Sequence, residues 1–220
     1  MALAVAALCA EGYAANLSVF ERRIAAARAA GVLVSPNCGL APGMACVIAA
    51  GAAKKFSAVD EIHLRVGGLP QHPRPPLNYQ LVFSAEGLIN EYGNPCESIA
   101  NGRAIEAAPL EGLEEISIDG TLYEAFNTSG GLGSLGDTYG QRAESMDYKT
   151  MRYPGHCEQM RLLMNDLKLN QDRSTLKRIL ENAVPQTLQD VVIVYVAVAG
   201  TQEGSMMKKS TGRFLLDSKI

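Results

Sequence analysis

Glu61-Ile-His-Leu-Arg-Val66 alternates without a break, Ile62, Leu64 and Val66 pointing one way and His63 and Arg65 the other. Period two over six residues predicts a half-buried strand, ending where Gly67-Gly68 begins. Residues 78–83 repeat the alternation, and a further strand is expected at about 143–151. From Val191 to Ala199 nearly every position is apolar, the pattern of a strand buried on both faces, and residues 200–204 turn it into a last, partly polar strand. Asn101-Gly102 and Asp119-Gly120 fall between strand-like runs and predict two hairpin turns.

Helical period takes over elsewhere. Ser18-Val-Phe-Glu21 has the spacing of a capping box and predicts a helix to about Ala30, stopped by Gly31. Val32-Leu-Val34 then reads as a short buried strand ending at Ser35-Pro36. Residues 44–56 are rich in alanine, nearly uncharged and closed by Lys54-Lys55, which predicts a helix buried between layers. Ser84 caps a helix to Tyr92, residues 156–167 form an amphipathic helix, and Ser174 caps another to about Ala183. The resulting fold class is α+β: a mixed, largely antiparallel sheet covered by helices.

Composition narrows the function classes. Twenty basic and twenty-three acidic residues give a net charge of −3 without a long block of either sign, so a nucleic-acid footprint is absent. The opening Met-Ala-Leu-Ala-Val-Ala-Ala-Leu-Cys-Ala imitates a signal-peptide core, but no Lys or Arg precedes Arg22, and the run ends at Glu11, too short for a membrane span. Five scattered cysteines without a C-x-x-C pair argue against structural zinc and fit reduced thiols in a cytoplasmic protein without a metal site.

Three runs carry candidate chemistry. In Tyr148-Lys-Thr-Met-Arg-Tyr-Pro-Gly-His156, strand alternation places Tyr148, Thr150 and Arg152 on one face and Lys149 on the other. Arg152 can capture a carboxylate bidentately, Thr150 adds a hydroxyl beside it, and Pro154-Gly155 turns into a helix whose N-terminus would add positive potential. Tyr153 and His156 complete this catalytic set; the alternative makes Tyr153 core and His156 a structural histidine. In Val66-Gly-Gly-Leu-Pro-Gln-His-Pro-Arg-Pro-Pro-Leu-Asn-Tyr79, Gly67 and Gly68 let a ligand approach the backbone, and Asn78 and Tyr79 offer polar groups. In Asn37-Cys-Gly-Leu-Ala-Pro-Gly43, the turn could present free backbone N–H groups at a helix start. Gly131-Leu-Gly-Ser-Leu-Gly136 satisfies G-x-G-x-x-G letter by letter, but Asp137-Thr-Tyr-Gly-Gln follows in place of a helical apolar stripe, so it reads as a glycine-rich loop.

These three runs, in their order along the chain, resemble the C-terminal catalytic domain of the saccharopine dehydrogenase family, most of all its lysine 6-dehydrogenase-type branch. The resemblance implies that residues 1–36 are the remnant of a nucleotide-binding, Rossmann-type domain and that residues 37–220 form a substrate-binding and dimerisation domain. It further implies an NAD(P)-dependent oxidoreductase acting on the C–N bond of a small amino-acid substrate. Asn37, Gly39, Ala41 and Pro42 would lie beside the nicotinamide of NAD or NADP, and Gly67, Gly68, Asn78 and Tyr79 beside the substrate. Saccharopine-forming members carry an acidic residue where this chain has Ala41 and a cysteine where it has Val66. A saccharopine-type or carboxyspermidine-type reductase and a non-catalytic assembly domain are the alternatives. A homodimer is expected, and the chain alone is expected to be inactive, the cofactor being held mostly by the missing part.

Overall fold

The computed structural model describes residues 24–33 and 37–202, and the backbone of the strand at Ser210–Leu216. The expected capping box at Ser18 and Glu21, and the expected turn through Gly204, lie outside these residues, as does most of the segment 1–36. Residues 24–29 are helical. Gly31, at φ 64°, ends the run, with its N–H on the Arg28 carbonyl and the Val32 N–H on that of Ala27. The strand expected at 32–34 is not seen in its described part, where Leu33 is 94% exposed. An apolar triplet becomes a strand only where a neighbour takes its backbone polar groups, and among the described residues none does.

Among the described residues, eight strands form one sheet: β1 (Ala58–Pro70), β2 (Cys96–Ala100), β3 (Arg103–Ala107), β4 (Glu114–Ile118), β5 (Thr121–Asn127), β6 (Ser145–Arg152), β7 (Asp190–Thr201) and β8 (Ser210–Leu216). Their order is β3-β2-β6-β1-β7-β8, and the β4–β5 hairpin joins β6 through β5. Only β1 and β6 run parallel, so the α+β expectation holds. Both expected hairpin turns are present, with positive φ at Asn101, Gly102, Asp119 and Gly120. The branch in the sheet is at β6. Its first residues pair with β2 (Met146 opposite Ile99) and its last with β5 (Thr150 opposite Phe126, Arg152 opposite Glu124).

Two strand expectations change. Strand β1 does not stop at Val66; Gly67 and Gly68 stay in the ladder opposite Ile193 and Val192. With partners on both sides, β1 can tolerate missing side chains, and Gly67 is wanted small, because a Cβ there would stand 3.1 Å from the Met151 carbonyl oxygen. The alternating run 78–83 forms only an isolated bridge, Leu81 to Gln186. Asn78 sits at φ 49°, and the Tyr79 N–H turns back to the Arg74 carbonyl, so the segment wraps the end of the sheet as a loop.

Among the described residues, five α-helices cover the sheet: α1 (Met44–Ala53), α2 (Ala85–Gly93), the short α3 (Leu135–Tyr139), α4 (His156–Arg161) and α5 (Arg173–Ala183). Ser84 caps α2 through the Gly87 N–H as expected. On α5 the cap is Asp172, which accepts from the Thr175 N–H (3.1 Å) and from the Ser174 hydroxyl (2.7 Å); a carboxylate is the stronger partner for a helix start. The single helix expected over 156–167 is α-helical to Arg161 and widens into a π-turn at Leu162–Asp166. Helix α1 is less enclosed than expected: Ala45, Ala49 and Ala53 meet the sheet, whereas Val47 is 72% exposed. Its alanines let it lie close on β1 and β7, and nothing among the described residues covers its far side. No described helix is long and apolar enough to cross a membrane.

The core has three parts. On the helix-covered face, Ile62, Leu64, Met146, Val194, Val196 and Val198 pack under α1. Beside them Tyr79, Leu88, Tyr92, Phe126, Met160 and Leu176 join α2, α4 and α5. On the opposite face Leu69, Tyr123, Met151 and Ile193 form a smaller cluster under the β4–β5 hairpin. The end of β6 lies where the first two meet.

Candidate functional site

Strand alternation turns Tyr148, Thr150 and Arg152 of β6 toward this junction and Lys149 away from it, as the sequence indicates. Arg152 is only 2% exposed. Its Nε donates to the Tyr92 hydroxyl (2.8 Å) and its Nη1 to the Met151 carbonyl (2.9 Å). Its guanidinium lies 5.0 Å from the Tyr79 ring centroid and 5.7 Å from that of Tyr92. Cation–π contacts of this kind help to offset the loss of hydration. The carboxylate of Glu91 stands 4.0 Å from Nη2, beyond hydrogen-bond range. Arg152 is thus a buried cation whose carboxylate partner falls short of a hydrogen bond.

His156 supports this arrangement from below. Its Nδ1 donates to the Leu77 carbonyl (2.9 Å), which leaves Nε2 as the acceptor for the Tyr92 hydroxyl at 3.1 Å. Donors and acceptors therefore run in one direction, from Arg152 to Tyr92 to His156 to Leu77. Burial pushes the His156 imidazole down to about 3, and the Arg152 charge pushes the same way. A fully buried, neutral imidazole with both nitrogens engaged positions Arg152 through Tyr92; it is not poised as a base. The N-terminus of α4 is also occupied. Glu124, beside Arg152 on β5, accepts from the Gly155 N–H (2.8 Å) and the Cys157 N–H (2.6 Å). The positive potential expected from that helix start is spent on Glu124.

Thr150 faces the junction, its hydroxyl 2.7 Å from that of Thr128 and 3.3 Å from that of Tyr148. Tyr153, next along the chain, points the other way, donating to the Pro70 carbonyl (3.0 Å) and packing on Tyr123. The structure does not bring it to Arg152. Asn78 donates from Nδ2 to the Pro154 carbonyl (3.1 Å), which ties the 71–84 loop to the turn after β6. Tyr79 is fully buried, and its hydroxyl has no hydrogen-bond partner among the described residues. Val66 stands opposite Thr150 in the parallel register, so Gly68 lies on the same face, level with Arg152, while Gly67 faces the other side.

The glycine-rich loop and the Asn37–Gly43 turn extend this region. A Cβ on Gly131 would fall 2.0 Å from the Tyr148 ring, and one on Gly133 would fall 2.9 Å from Pro42 and 4.0 Å from the Asn37 amide. The G-x-G-x-x-G run thus owes its first two glycines to close packing. The turn itself is more closed than its sequence suggests. Gly39 N–H bonds to the Pro42 carbonyl, and the Met44 and Ala45 N–H groups bond to the Gly39 and Leu40 carbonyls. Those helix-start donors are satisfied within the turn. Asn37, Gly39, Ala41 and Pro42 lie together, and Tyr148 with the Gly131–Gly133 loop connects them to Thr150 and Arg152.

Sequence reasoning missed Glu91, Tyr92, Thr128 and Glu124. Tyr92 could have been found, since the capped helix ending at Tyr92 puts an aromatic on its buried side. Glu91 carries no such signal; it is one acidic residue on a surface helix. Its side chain keeps 35% of its surface open. Burial raises that carboxyl to about 7 against the pull of Arg152.

The opposite face holds a second charged cluster. Arg65 reaches Asp147 with both terminal nitrogens (2.7 and 3.1 Å) and Glu114 with Nε. Lys149 donates to Glu114 (2.7 Å), and His63 Nδ1 lies 2.7 Å from Asp147.

An α+β domain with an open mixed sheet, and an under-neutralised arginine where two helix-covered clusters meet, is the class this geometry defines. The chain belongs to the family described as the saccharopine dehydrogenase C-terminal domain, whose model matches residues 39–215. Among solved structures it is similar to the apo saccharopine dehydrogenase (L-Glu forming) of Saccharomyces cerevisiae, with a TM-score of 0.66 at 15% identity. That match covers 86% of this chain and 60% of the yeast chain, so this chain spans under two thirds of the protein it resembles. A homospermidine synthase from Legionella pneumophila in complex with NAD also matches, with a TM-score of 0.39 at 18% identity, over 87% of this chain and 45% of that one.

Proposed function

We propose that this chain supplies the substrate-binding part of an NAD(P)-dependent oxidoreductase that acts on the C–N bond of an amino acid, of the lysine 6-dehydrogenase or saccharopine dehydrogenase-like type. Family membership supports the reaction class, and Arg152 carries the substrate assignment. A buried guanidinium without a hydrogen-bonded carboxylate is a receptor for one. Nη2 is the atom free to bind it, because Nε and Nη1 are engaged. The substrate carboxylate would bind at Nη2, over the Tyr79 ring and beside Gly68. Thr150 and Tyr148 line the path from there toward Asn37.

The residues fit one edge of a nicotinamide cofactor. Asn37 offers an amide that can both donate and accept, and Gly133 lets the loop pack closely against Pro42 beside it. Asn37, Gly39, Ala41 and Pro42 would hold its near side; bound there, the nicotinamide supplies the hydride acceptor. The chain's own work is to bind and orient. Tyr79, Tyr92 and Tyr148 are all raised above the ordinary phenol range, chiefly by burial, so they remain neutral. They shape the site without competing for the carboxylate.

Kinetics of Arg152→Lys and Arg152→Ala test this reading, on the amino acid and on an analogue lacking the carboxylate. The alanine variant should lose about 2–4 kcal/mol of transition-state stabilisation, roughly thirty- to a thousand-fold in kcat/KM, with lysine in between. The loss should shrink on the analogue. Unchanged kcat/KM for the amino acid, or equal losses on both substrates, would overturn the assignment.

A further inference from the structure

Past the end of β1 and before the start of β7, two loops enclose a cavity of about 240 Å³. Its polar lining is His72, Arg74, Gln80, Gln186, Thr187 and Gln189. Backbone hydrogen bonds fix its frame: the Leu81 N–H reaches the Pro185 carbonyl (2.8 Å), the Thr187 N–H the Leu81 carbonyl (3.1 Å) and the Gln71 N–H the Gln189 carbonyl (2.9 Å). Pro73, Pro75 and Pro76 stiffen the first loop further. The frame leaves the lining side chains unused. Among the described residues, no hydrogen bond or ion pair engages the side chains of His72, Arg74, Gln80, Gln186 or Gln189. Thr187 accepts from the Gln189 N–H (3.0 Å), so its own hydroxyl proton remains to be donated. Gln80 decides the character of the cavity. It is only 9% exposed, yet its amide lacks a partner among the described residues and lines the cavity. A polar group so enclosed is costly unless a ligand or water meets it. The Arg152 region is separate: Tyr79 gives its ring to Arg152, whereas Gln80, the next residue, belongs to the cavity. None of the groups bonded to Arg152 lines it.

We propose that this cavity is a second binding site, for a small hydroxylated oxyanion: a phosphate or carboxylate carried on a polyol body. Arg74 and His72 receive the anionic end. A guanidinium presents paired N–H groups that match two oxygens of either anion, and an imidazole has an N–H to donate in both protonation states. No carboxylate lines the cavity; Asp190, next to Gln189, stands outside it. An anion therefore meets no like charge on the lining. The rest of the ligand faces neutral polar groups. The amides of Gln80, Gln186 and Gln189 each donate and accept, and Thr187 donates, which is the pairing that hydroxyl groups require. An apolar ligand would leave all of them unmet at a desolvation cost. The chemistry differs from that at Arg152, where aromatic rings flank the guanidinium and the neighbouring acid is Glu91.

Calorimetric titration of the chain with glycerol 3-phosphate, D-glycerate, inorganic phosphate and glycerol tests the assignment. Glycerol 3-phosphate or D-glycerate should bind at a single site, about fivefold or more tighter than inorganic phosphate, and glycerol should give no heat of binding. Whichever of the two binds more tightly identifies the anionic group. Arg74→Met and Gln80→Met should each weaken that ligand by about tenfold or more, with Arg74→Lys in between, because lysine keeps the charge without the fork. Arg152→Met, which removes the other carboxylate receptor, should leave this binding in place. Arg74 is exposed, so its variants should fold as the parent does, and melting curves of all four check this. An affinity that survives Arg74→Met and Gln80→Met but falls with Arg152→Met would assign the ligand to the other region and overturn the proposal. So would glycerol binding as tightly as the acids, or no binding of either acid.

Discussion

Two arginines lie in neighbouring strands of the same sheet, and their surroundings could hardly differ more. Arg65 of β1 faces the hairpin side, where Asp147 takes a bidentate pair of hydrogen bonds and Glu114 takes another. Arg152 of β6 faces the helix side and has tyrosine rings, a phenol and a carbonyl, but no carboxylate within hydrogen-bond distance. Both are nearly buried, so exposure does not distinguish them. What distinguishes them is neutralisation. A cation whose charge is met by fixed acids on rigid strands joins elements together; one whose charge is only partly met retains affinity for an anion. The alternation of β6 serves both, sending Asp147 and Lys149 to the face of Arg65 and Glu114, and Arg152 to the other.

Removing a partner from each arginine should separate these roles most sharply. Asp147→Ala leaves Arg65 with its forked partner gone and should cost about 3 kcal/mol of stability, read as a drop in the urea midpoint at constant slope. Arg152→Met keeps length and removes an incompletely met charge, so it should change stability by less than about 1 kcal/mol. If the two variants lose stability equally, Arg152 is an architectural residue and the comparison fails.

A smaller effect should come from the loop that joins the arginine region to the Asn37–Gly43 turn. Gly131→Ala would press a methyl group into the Tyr148 ring, whose position is fixed by packing under α1, at a cost of about 1–3 kcal/mol. Gly130→Ala meets nothing within 4 Å but sits at φ 85°, so its smaller cost would be conformational only. Thermal melts of both variants check the ranking. Equal melting temperatures would mean that the loop yields and does not hold Tyr148 in place.

Local rules made much of this molecule readable. Two hairpin turns, the Ser84 cap, the Gly31 stop and the faces of β6 follow from a few adjacent residues, and each stands where its pattern places it. The misreadings share a cause: the deciding partner was distant in sequence. Gly67 and Gly68 looked like the end of the strand because their ladder partners, Ile193 and Val192, lie far along the chain. The run 78–83 alternates like a strand, yet its one bridge among the described residues is to Gln186, far along the chain. At the site, Arg152 was legible from its face of β6, whereas the Glu124 that occupies the α4 start, and the Glu91 across from Nη2, come from other elements. Their roles depend on tertiary placement that no spacing in the sequence encodes.

The finest discrimination between the two arginines is the sign of their acids' response to pH. Burial would raise Asp147, but hydrogen bonds from His63 and Arg65 and the Arg65 charge overcome it and hold the carboxyl well below the ordinary range. A depressed carboxyl contributes stability that is full above its unfolded value, about 3.9, and is lost as pH falls through the folded value. Glu91 is shifted upward, to about 7, by burial that Arg152 only partly offsets. Its contribution runs the other way: whatever stability the neutral form confers is complete below the unfolded value, about 4.3, and declines as pH rises toward and through 7. Asp147→Asn should therefore destabilise at pH 6 and converge on the parent in strong acid. Glu91→Gln should match the parent near pH 4 and become the more stable of the two by pH 8. The gain should be on the order of 1 kcal/mol, because the exposed third of the Glu91 side chain lets solvent screen much of the shift. Urea midpoints at pH 4, 6 and 8 measure both differences. A Glu91→Gln variant that loses stability as pH rises would mean that Glu91 and Arg152 already form a closed, stabilising pair in solution, and the contrast between the two faces would disappear.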